Sequence, residues 1–413
     1  SRTCGRYRLN GRFRRPFEAI NTMKTLQDWL SHLETAHSSG LIDMGLERVG
    51  EVKKRMNLVP QCPVVVVAGT NGKGSVCAYL SHIYKEAGFK VGTLTSPHLL
   101  RYNERIAINT QPVSDELIVS SFERIEAARG EISLTYFEFN ALAAVDIFMH
   151  ENVDVMILEV GLGGRLDAVN VFDGDCSVVT SVDLDHQAFL GDTVEQVGFE
   201  KAGVFRGGKP AVCGQNPAPE SLVKHAEEIG AKLLMVQRDF DFASMESVQW
   251  NYRFHPQSSD GQSRNRNSLP FPALRGAYQL SNAACALTVL ECLNNQLPVD
   301  IGAIKRGLLL VENPGRFQVL PGRPLVVLDV GHNPHAVRAL RRSLINLAFA
   351  QKRTAVFSML SDKDIDGVLE IVKDQFDEWN IAPLDVPRGM TVEALQAKLA
   401  EHGIDNVNVF ETV

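Results

Sequence analysis

The chain has no apolar run approaching the roughly 20 residues of a membrane span, and no hydrophobic signal core follows its N-terminus. Membrane insertion and secretion are not expected, and a soluble cytoplasmic protein is. The 7 cysteines, Cys4, Cys62, Cys77, Cys176, Cys213, Cys285 and Cys292, are odd in number and lack CxxC spacing. They fit reduced, mostly buried thiols of a cytosolic protein rather than a disulfide framework. There is no excess of positive charge: the formal net charge is -7. That argues against a nucleic-acid surface, so an anionic substrate must be drawn in by local positive groups. No internal repeat or low-complexity tract is present. A monomer acting on small molecules is expected.

At 413 residues the chain is too long for one ordinary core, and 45% hydrophobic with 22% charged residues suits a soluble globular fold of two domains. The first 15 residues hold six arginines (Arg2, Arg6, Arg8, Arg12, Arg14, Arg15) and no acid. Residues 1–22 are read as a leader, with a transit peptide or anion-binding arm as alternatives, because amphipathic helix begins only after Met23. From there strand and helix patterns alternate: strands at 64–68, 91–96, 153–160 and 176–182, and helices at 76–88, 114–129 and 137–150. This order predicts an α/β fold, with a parallel sheet carrying ligand loops at its carboxyl edge. A polar stretch, 255–268, reads as an exposed loop or hairpin tip, and a helix is predicted over 278–293. Residues 294–300 read as a linker, dividing a larger unit (23–296) from a smaller Rossmann-like α/β unit (297–413). In the second unit, helices are predicted at 301–310 and 334–347, and strands at 325–330 and 355–359.

Four strand ends carry unusual residues. "VVVVAGTNGKGSVCAYL" (64–80) is a buried strand, a glycine-rich turn and the start of a helix, a variant phosphate loop. Gly72 and Gly74 let backbone N–H groups approach phosphate oxygens, and Lys73 adds a point charge at the helix N-terminus. "LTSPHLLRYNERI" puts Ser96 after a strand; "ILEVGLGGRLDAVN" buries Glu159 in one; "VVTSVDLDHQAFLG" ends one in Asp183, Asp185 and His186. A buried carboxylate needs a cation, and Mg²⁺ with hard oxygen ligands suits Glu159, with Ser96 and His186 completing the shell. Plainer readings stand beside each: a turn cap for Ser96, an ordinary loop histidine for His186, and Arg165 as the partner of Glu159.

The motifs "AGTNGKGS", "TSPHL" with "ERI", "EVGLGGRLDAVN", "DH" followed by "LG", "EKAGVFR", "PGRFQ" and "DVGHNPHA", in this order, resemble the folylpolyglutamate synthase family of the Mur-ligase superfamily. The likeness runs from about Met23 to Val413. It implies an ATP-dependent ligase joining a folate carboxylate to the amine of L-glutamate. Asn71, Gly72, Lys73, Gly74 and Ser75 match the ATP phosphate loop. Ser96 and Glu159 match ligands of a first Mg²⁺, and His186 a ligand of a second. Lys201 matches a lysine that is carbamylated in the family. Arg316 matches an arginine reaching the γ-phosphate, Asp329 and His332 match nucleotide contacts, and Asn282 matches an adenine contact. "EISLTYFEFNALAAVDIF" and "GRLDAVN" resemble the bacterial bifunctional members, which also act as dihydrofolate synthases on dihydropteroate. There Phe137, Asp167 and Ala168 match the pterin pocket. The implied substrates are dihydropteroate, reduced folates, L-glutamate and ATP.

The chain departs from the family at Asn109–Thr110, where relatives have Asn-Gly, an altered turn. Relatives also continue for some tens of residues past the position of Val413. Two other readings stand beside this one. A UDP-muramyl peptide ligase would share the phosphate loop but not "TSPHL" and the pterin-pocket match. A non-enzymatic ATP-binding switch would not need Lys73, Glu159, His186 and Arg316 together.

Overall fold

The computed structural model describes residues 25–37, 42–245, 248–257, 262–347, 350–386 and 388–413. The expected leader, 1–22, lies outside the described residues. Helices α1 (Leu26–Ala36) and α2 (Glu47–Arg55) precede strand β1 (Val64–Ala68) and helix α3 (Lys73–Glu86). Strands β2 (Val91–Leu94), β3 (Ile106–Ile108) and β4 (Gln111–Pro112) lead into α4 (Asp115–Arg129) and α5 (Tyr136–His150). Then come β5 (Val155–Glu159), β6 (Cys176–Val179), the short α6 (Gln187–Leu190) and α7 (Val194–Ala202). Strand β7 (Pro210–Cys213), helix α8 (Glu220–Ile229) and strand β8 (Lys232–Met235) complete the series.

These eight strands make one sheet in the order β4-β3-β2-β5-β1-β6-β7-β8. From β2 to β8 every pairing is parallel; β3 and β4 add an antiparallel edge that the α/β order did not predict. The cause is local: β3 and β4 are joined by a hairpin too short for a crossover. Its turn residues, Asn109 and Thr110, have φ of 49° and 68°, the left-handed pair such a hairpin needs, so β-branched Thr110 is strained. β1 is apolar throughout because both its faces are covered: Val64, Val66 and Ala68 enter one core, Val65 and Val67 the other. Ser114 caps α4 as expected, accepting from the Leu117 N–H.

Strands β9 (Phe240–Met245), β10 (Gln249–Phe254) and β11 (Arg264–Pro270) form a separate antiparallel sheet. The stretch expected to be an exposed loop or hairpin tip, 255–268, joins the antiparallel strands β10 and β11, and its last residues, 264–268, are already strand. Helix α9 (Gln279–Cys292) follows, then α10 (Ile301–Leu310). The expected domain boundary at 297 needs correction. Ala303, Ile304 and Leu308 of α10 lie in the same core as α3, and Gly307 sits so close that a Cβ would come 2.5 Å from Ile83. Polar residues and Pro298 made 294–300 resemble a linker, but α10 buries an apolar face on the first unit, which moves the junction past Val311.

The second unit contains β12 (Gln318–Leu320), β13 (Val326–Leu328), α11 (Pro334–Ile345), β14 (Thr354–Phe357), α12 (Ile365–Val372), β15 (Glu378–Ile381), α13 (Val392–Glu401) and β16 (Val407–Val409). β14, β15 and β16 form a parallel sheet over a core of Leu369, Ile381, Leu395 and Leu399. The strand expected at 325–330 does not join it; β13 pairs antiparallel with β12. No helix among the described residues is long and apolar enough to cross a membrane.

Candidate functional site

The phosphate loop forms where β1 ends and α3 begins. Gly72 caps α3 at φ 90°, and a Cβ there would lie 2.5 Å from Asn282 Oδ1, so both conformation and space demand glycine. Asn282 therefore packs directly on the loop. Lys73 Nζ donates to the Gly69 carbonyl at 2.8 Å, which folds the ammonium back over the loop. Thr180 and Ser181, just past β6, donate to the Asn71 carbonyl at 2.6 and 2.9 Å, and Ser181 Oγ accepts from the Asn71 N–H. The Ser75 hydroxyl accepts from Gln279 Nε2 at 3.2 Å and Asn313 Nδ2 at 3.3 Å. The loop is thus braced from three elements far apart in sequence.

Glu159, the last residue of β5, pairs with Val67 in register and is buried. Burial pushes its carboxyl up from the ordinary value, opposed by Lys73, by the Ser96 N–H (3.1 Å from Oε2) and by Arg316. Arg165 is not its partner: it donates to Glu200 at 2.8 Å. His186 lies at φ 50°, and burial lowers it to about 4, so its imidazole is neutral and its lone pair free to ligate. Lys201 is 4% exposed, and burial, followed by the charge of Lys73, lowers it to about 7.

The start of α11 meets these loops from the second unit. His335 Nδ1 lies 2.8 Å from Asn71 Nδ2, and its ring stacks on Tyr278 at 5.3 Å and 11°. Asn333 and Lys363 donate to Asp185 at 3.3 and 3.5 Å, and Arg338 to Asp183 at 3.3 Å. Burial works against ionised Asp185, yet His186, Lys363 and His332 hold it below the usual carboxylate range. Asp329 accepts the N–H groups of Phe317 and Gly331 at 2.9 and 2.7 Å, and burial raises its carboxyl. A cavity of about 580 Å³ collects Asn71 to Ser75, Ser96, Glu159, His186, Lys201, Asn282, Arg316, Asp329 and His332.

A second cavity, about 690 Å³, adjoins it and is lined by Phe137, Asp167 and Ala168. Phe137 lies over Gly161 so closely that a Cβ there would be 2.7 Å from the ring. Asp167 caps a short turn, accepting the Leu162 and Val169 N–H groups at 2.8 and 3.0 Å, and burial lifts its carboxyl to about 7. Ser96, Gly161, His186, Asp329 and His332 line both cavities. Whatever fills the second can touch the end of whatever fills the first.

Residues 67–290 match the Mur ligase middle domain, and residues 315–413 the Mur ligase glutamate ligase domain. The chain is 43% identical over 391 residues to the dihydrofolate synthase/folylpolyglutamate synthase of Escherichia coli K12, covering 94% of this chain and 87% of that one. This chain belongs to the dihydrofolate synthase/folylpolyglutamate synthase family. Its fold is that of E. coli FolC in complex with DHPP and ADP (TM-score 0.86, 42% identity, 94% of this chain and 90% of that one). A bifunctional folylpolyglutamate synthase/dihydrofolate synthase with Mn, AMPPNP and L-glutamate bound is equally similar (TM-score 0.84, 44% identity, 95% and 90% covered).

Every expected site residue lines one cavity or the other. A self-contained metal cluster is not among them: no group of three or more His, Cys, Asp or Glu among the described residues is placed to hold an ion. The donors present nevertheless fit Mg²⁺, which retains water and needs only one or two protein oxygens beside substrate phosphates. Buried Glu159 and the adjoining Ser96 are such a pair. Sequence reasoning missed Asn313, Gln279, Ser181, His335 and Lys363. Of these, Ser181 lies within "VVTSVDLDHQAFLG", His335 within "DVGHNPHA" and Asn313 just before "PGRFQ"; Gln279 and Lys363 are brought in by packing alone.

Proposed function

We propose that this protein is an ATP-dependent carboxylate–amine ligase that adds L-glutamate to dihydropteroate and to the glutamate tail of reduced folates. The observation that carries the reading is the shared wall of the two cavities, which sets an acceptor carboxylate against the terminal phosphate of a nucleotide on the Lys73 loop. The acceptor carboxylate attacks the γ-phosphorus; a new O–P bond forms, the bond to ADP breaks, and an acyl phosphate results. The glutamate amine then attacks the acyl carbon, an amide C–N bond forms, phosphate leaves, and the amine loses a proton.

Lys73 and Arg316 offset the charge crowded between two anions, and the loop backbone orients the phosphates. Glu159 and Ser96 would hold one Mg²⁺, and His186 with the carbamate of Lys201 would hold a second; the ions would supply charge neutralisation. Lys201 suits carbamylation chemically, since burial lowers it to about 7, where a substantial share of the amine is neutral and can add to CO₂ with loss of one proton. Phe137 offers the pterin a stacking face, and the Asp167 carboxylate accepts from its aminopyrimidine. Closure of the second unit over the first excludes water that would hydrolyse the acyl phosphate. The protein acts as a cytoplasmic monomer, with no nucleic-acid or membrane partner.

The test is ADP release with Mg²⁺-ATP and L-glutamate, with dihydropteroate and a reduced folate as parallel acceptors. Turnover with both supports the bifunctional reading. Turnover with the folate alone removes the dihydropteroate activity, and ATP binding without turnover removes the ligase.

A further inference from the structure

The acceptor cavity has one wall from α5 and another from residues 42–45, which lie about ninety positions apart in sequence. The two walls are tied by a chain of polar side chains that the proposed reaction does not use. Arg48, in the first turn of α2, places Nη1 2.9 Å from Asp43 Oδ2 and Nη2 3.0 Å from Glu138 Oε1, while Nη2 also donates to the Asp43 carbonyl at 2.9 Å. Glu138 is 2% exposed and is the third residue of α5; its other oxygen accepts the Thr135 N–H at 2.7 Å, and Thr135 Oγ accepts the Glu138 N–H at 3.1 Å. On the far side, Asp43 Oδ2 lies 3.0 Å from His37 Nε2, and His37 Nδ1 lies 2.6 Å from Ser133 Oγ, two residues before the helix cap. Asp43, Thr135, Phe137 and Glu138 all face the cavity.

We propose that Arg48 is a positioning residue for the pterin acid: it staples the 42–45 segment to the start of α5 and thereby sets the gap in which the acceptor's ring lies against Phe137. The planar guanidinium reaches two carboxylates and a carbonyl from two nitrogens set apart in a fixed fork; a lysine ammonium would have to reach all three from one nitrogen. Glu138 fixes the cap of the very turn that carries Phe137, so loosening the staple moves the stacking face as well as the opposite wall. The inference rests on reading the second cavity as the acceptor site.

The experiment compares the full-length protein with Arg48→Lys and with the double variant Arg48→Met/Glu138→Gln, measuring KM for dihydropteroate, KM for ATP and Tm. The double variant removes the carboxylate that would otherwise be buried without its cation, and so separates misplacement of the wall from loss of stability. The expected result is a dihydropteroate KM raised about tenfold in both variants, with the ATP KM within about twofold of the parent, the size of effect a small misplacement produces. Both KM values moving together, or a dihydropteroate KM that returns to the parent value along with Tm in the double variant, would show a purely structural role. A parent protein without dihydropteroate-dependent turnover overturns the cavity's assignment itself; a parent that turns over beside an unmoved Arg48→Lys overturns the staple alone.

Discussion

The two cavities share a wall yet are built in opposite ways. The nucleotide cavity rests on a contiguous stretch, residues 69–75, whose backbone makes the cradle and where φ and space dictate glycine at Gly69 and Gly72. The acceptor cavity has no such stretch. Its parts come from residues 42–45, 96–97, 135–138, 161–168 and the second unit, and side chains hold them together. A site made from one strand–turn–helix tolerates change elsewhere; a site made by packing can be altered by residues that never touch its ligand.

The comparison breaks most sharply at Lys73. Lys73→Met is expected to lower turnover roughly 10²–10³-fold with either acceptor alike, since it removes charge stabilisation common to both reactions. Steady-state ADP release with each acceptor checks this, and a loss confined to one acceptor would contradict the division of labour. Next is Glu159→Gln, for which a loss of about 10²-fold is expected, the worth of roughly 3 kcal/mol of metal-borne charge stabilisation, with a raised Mg²⁺ requirement in a metal titration.

On the acceptor side, Phe137→Ala is expected to raise the dihydropteroate KM about tenfold, the range of one lost aromatic stack, while leaving the ATP KM in place. Asp167 gives the same side a pH signature. Burial holds its carboxyl at about 7, so it is protonated below that value and becomes the better acceptor for an aminopyrimidine above it. The dihydropteroate KM should fall as pH rises from about 6 to about 8, by at most tenfold per unit. In Asp167→Asn the dependence should vanish. The smallest effect belongs to the seam between units: His335→Ala, losing the stack on Tyr278 and the contact to Asn71, is expected to raise the ATP KM two- to threefold, within the roughly 0.5–1.5 kcal/mol of an aromatic pair.

Most of the nucleotide site could be read in advance because its signals are local. A glycine at φ 90°, a lysine opening a helix and an acid ending an apolar strand each leave a mark within a few positions. The expectations that failed were those where local pattern and packing disagree. Residues 294–300 look like a linker, and α10 nonetheless belongs to the first core because Gly307 admits Ile83 of α3. Residues 264–266, in a stretch that reads as loop or hairpin tip, already belong to the hairpin's second strand and pair with β10.

The sequence by itself determined the alternation of strands and helices, the phosphate loop and the acids at strand ends, because hydrophobic period and backbone conformation are properties of neighbouring residues. Only the tertiary structure decided that Arg165 binds Glu200 rather than Glu159, that His335 meets Asn71, and that Arg48 ties two walls of one cavity. Those are choices among partners far apart in the chain, and a charged or polar side chain carries no record of which of several compatible partners packing will bring within 3 Å of it.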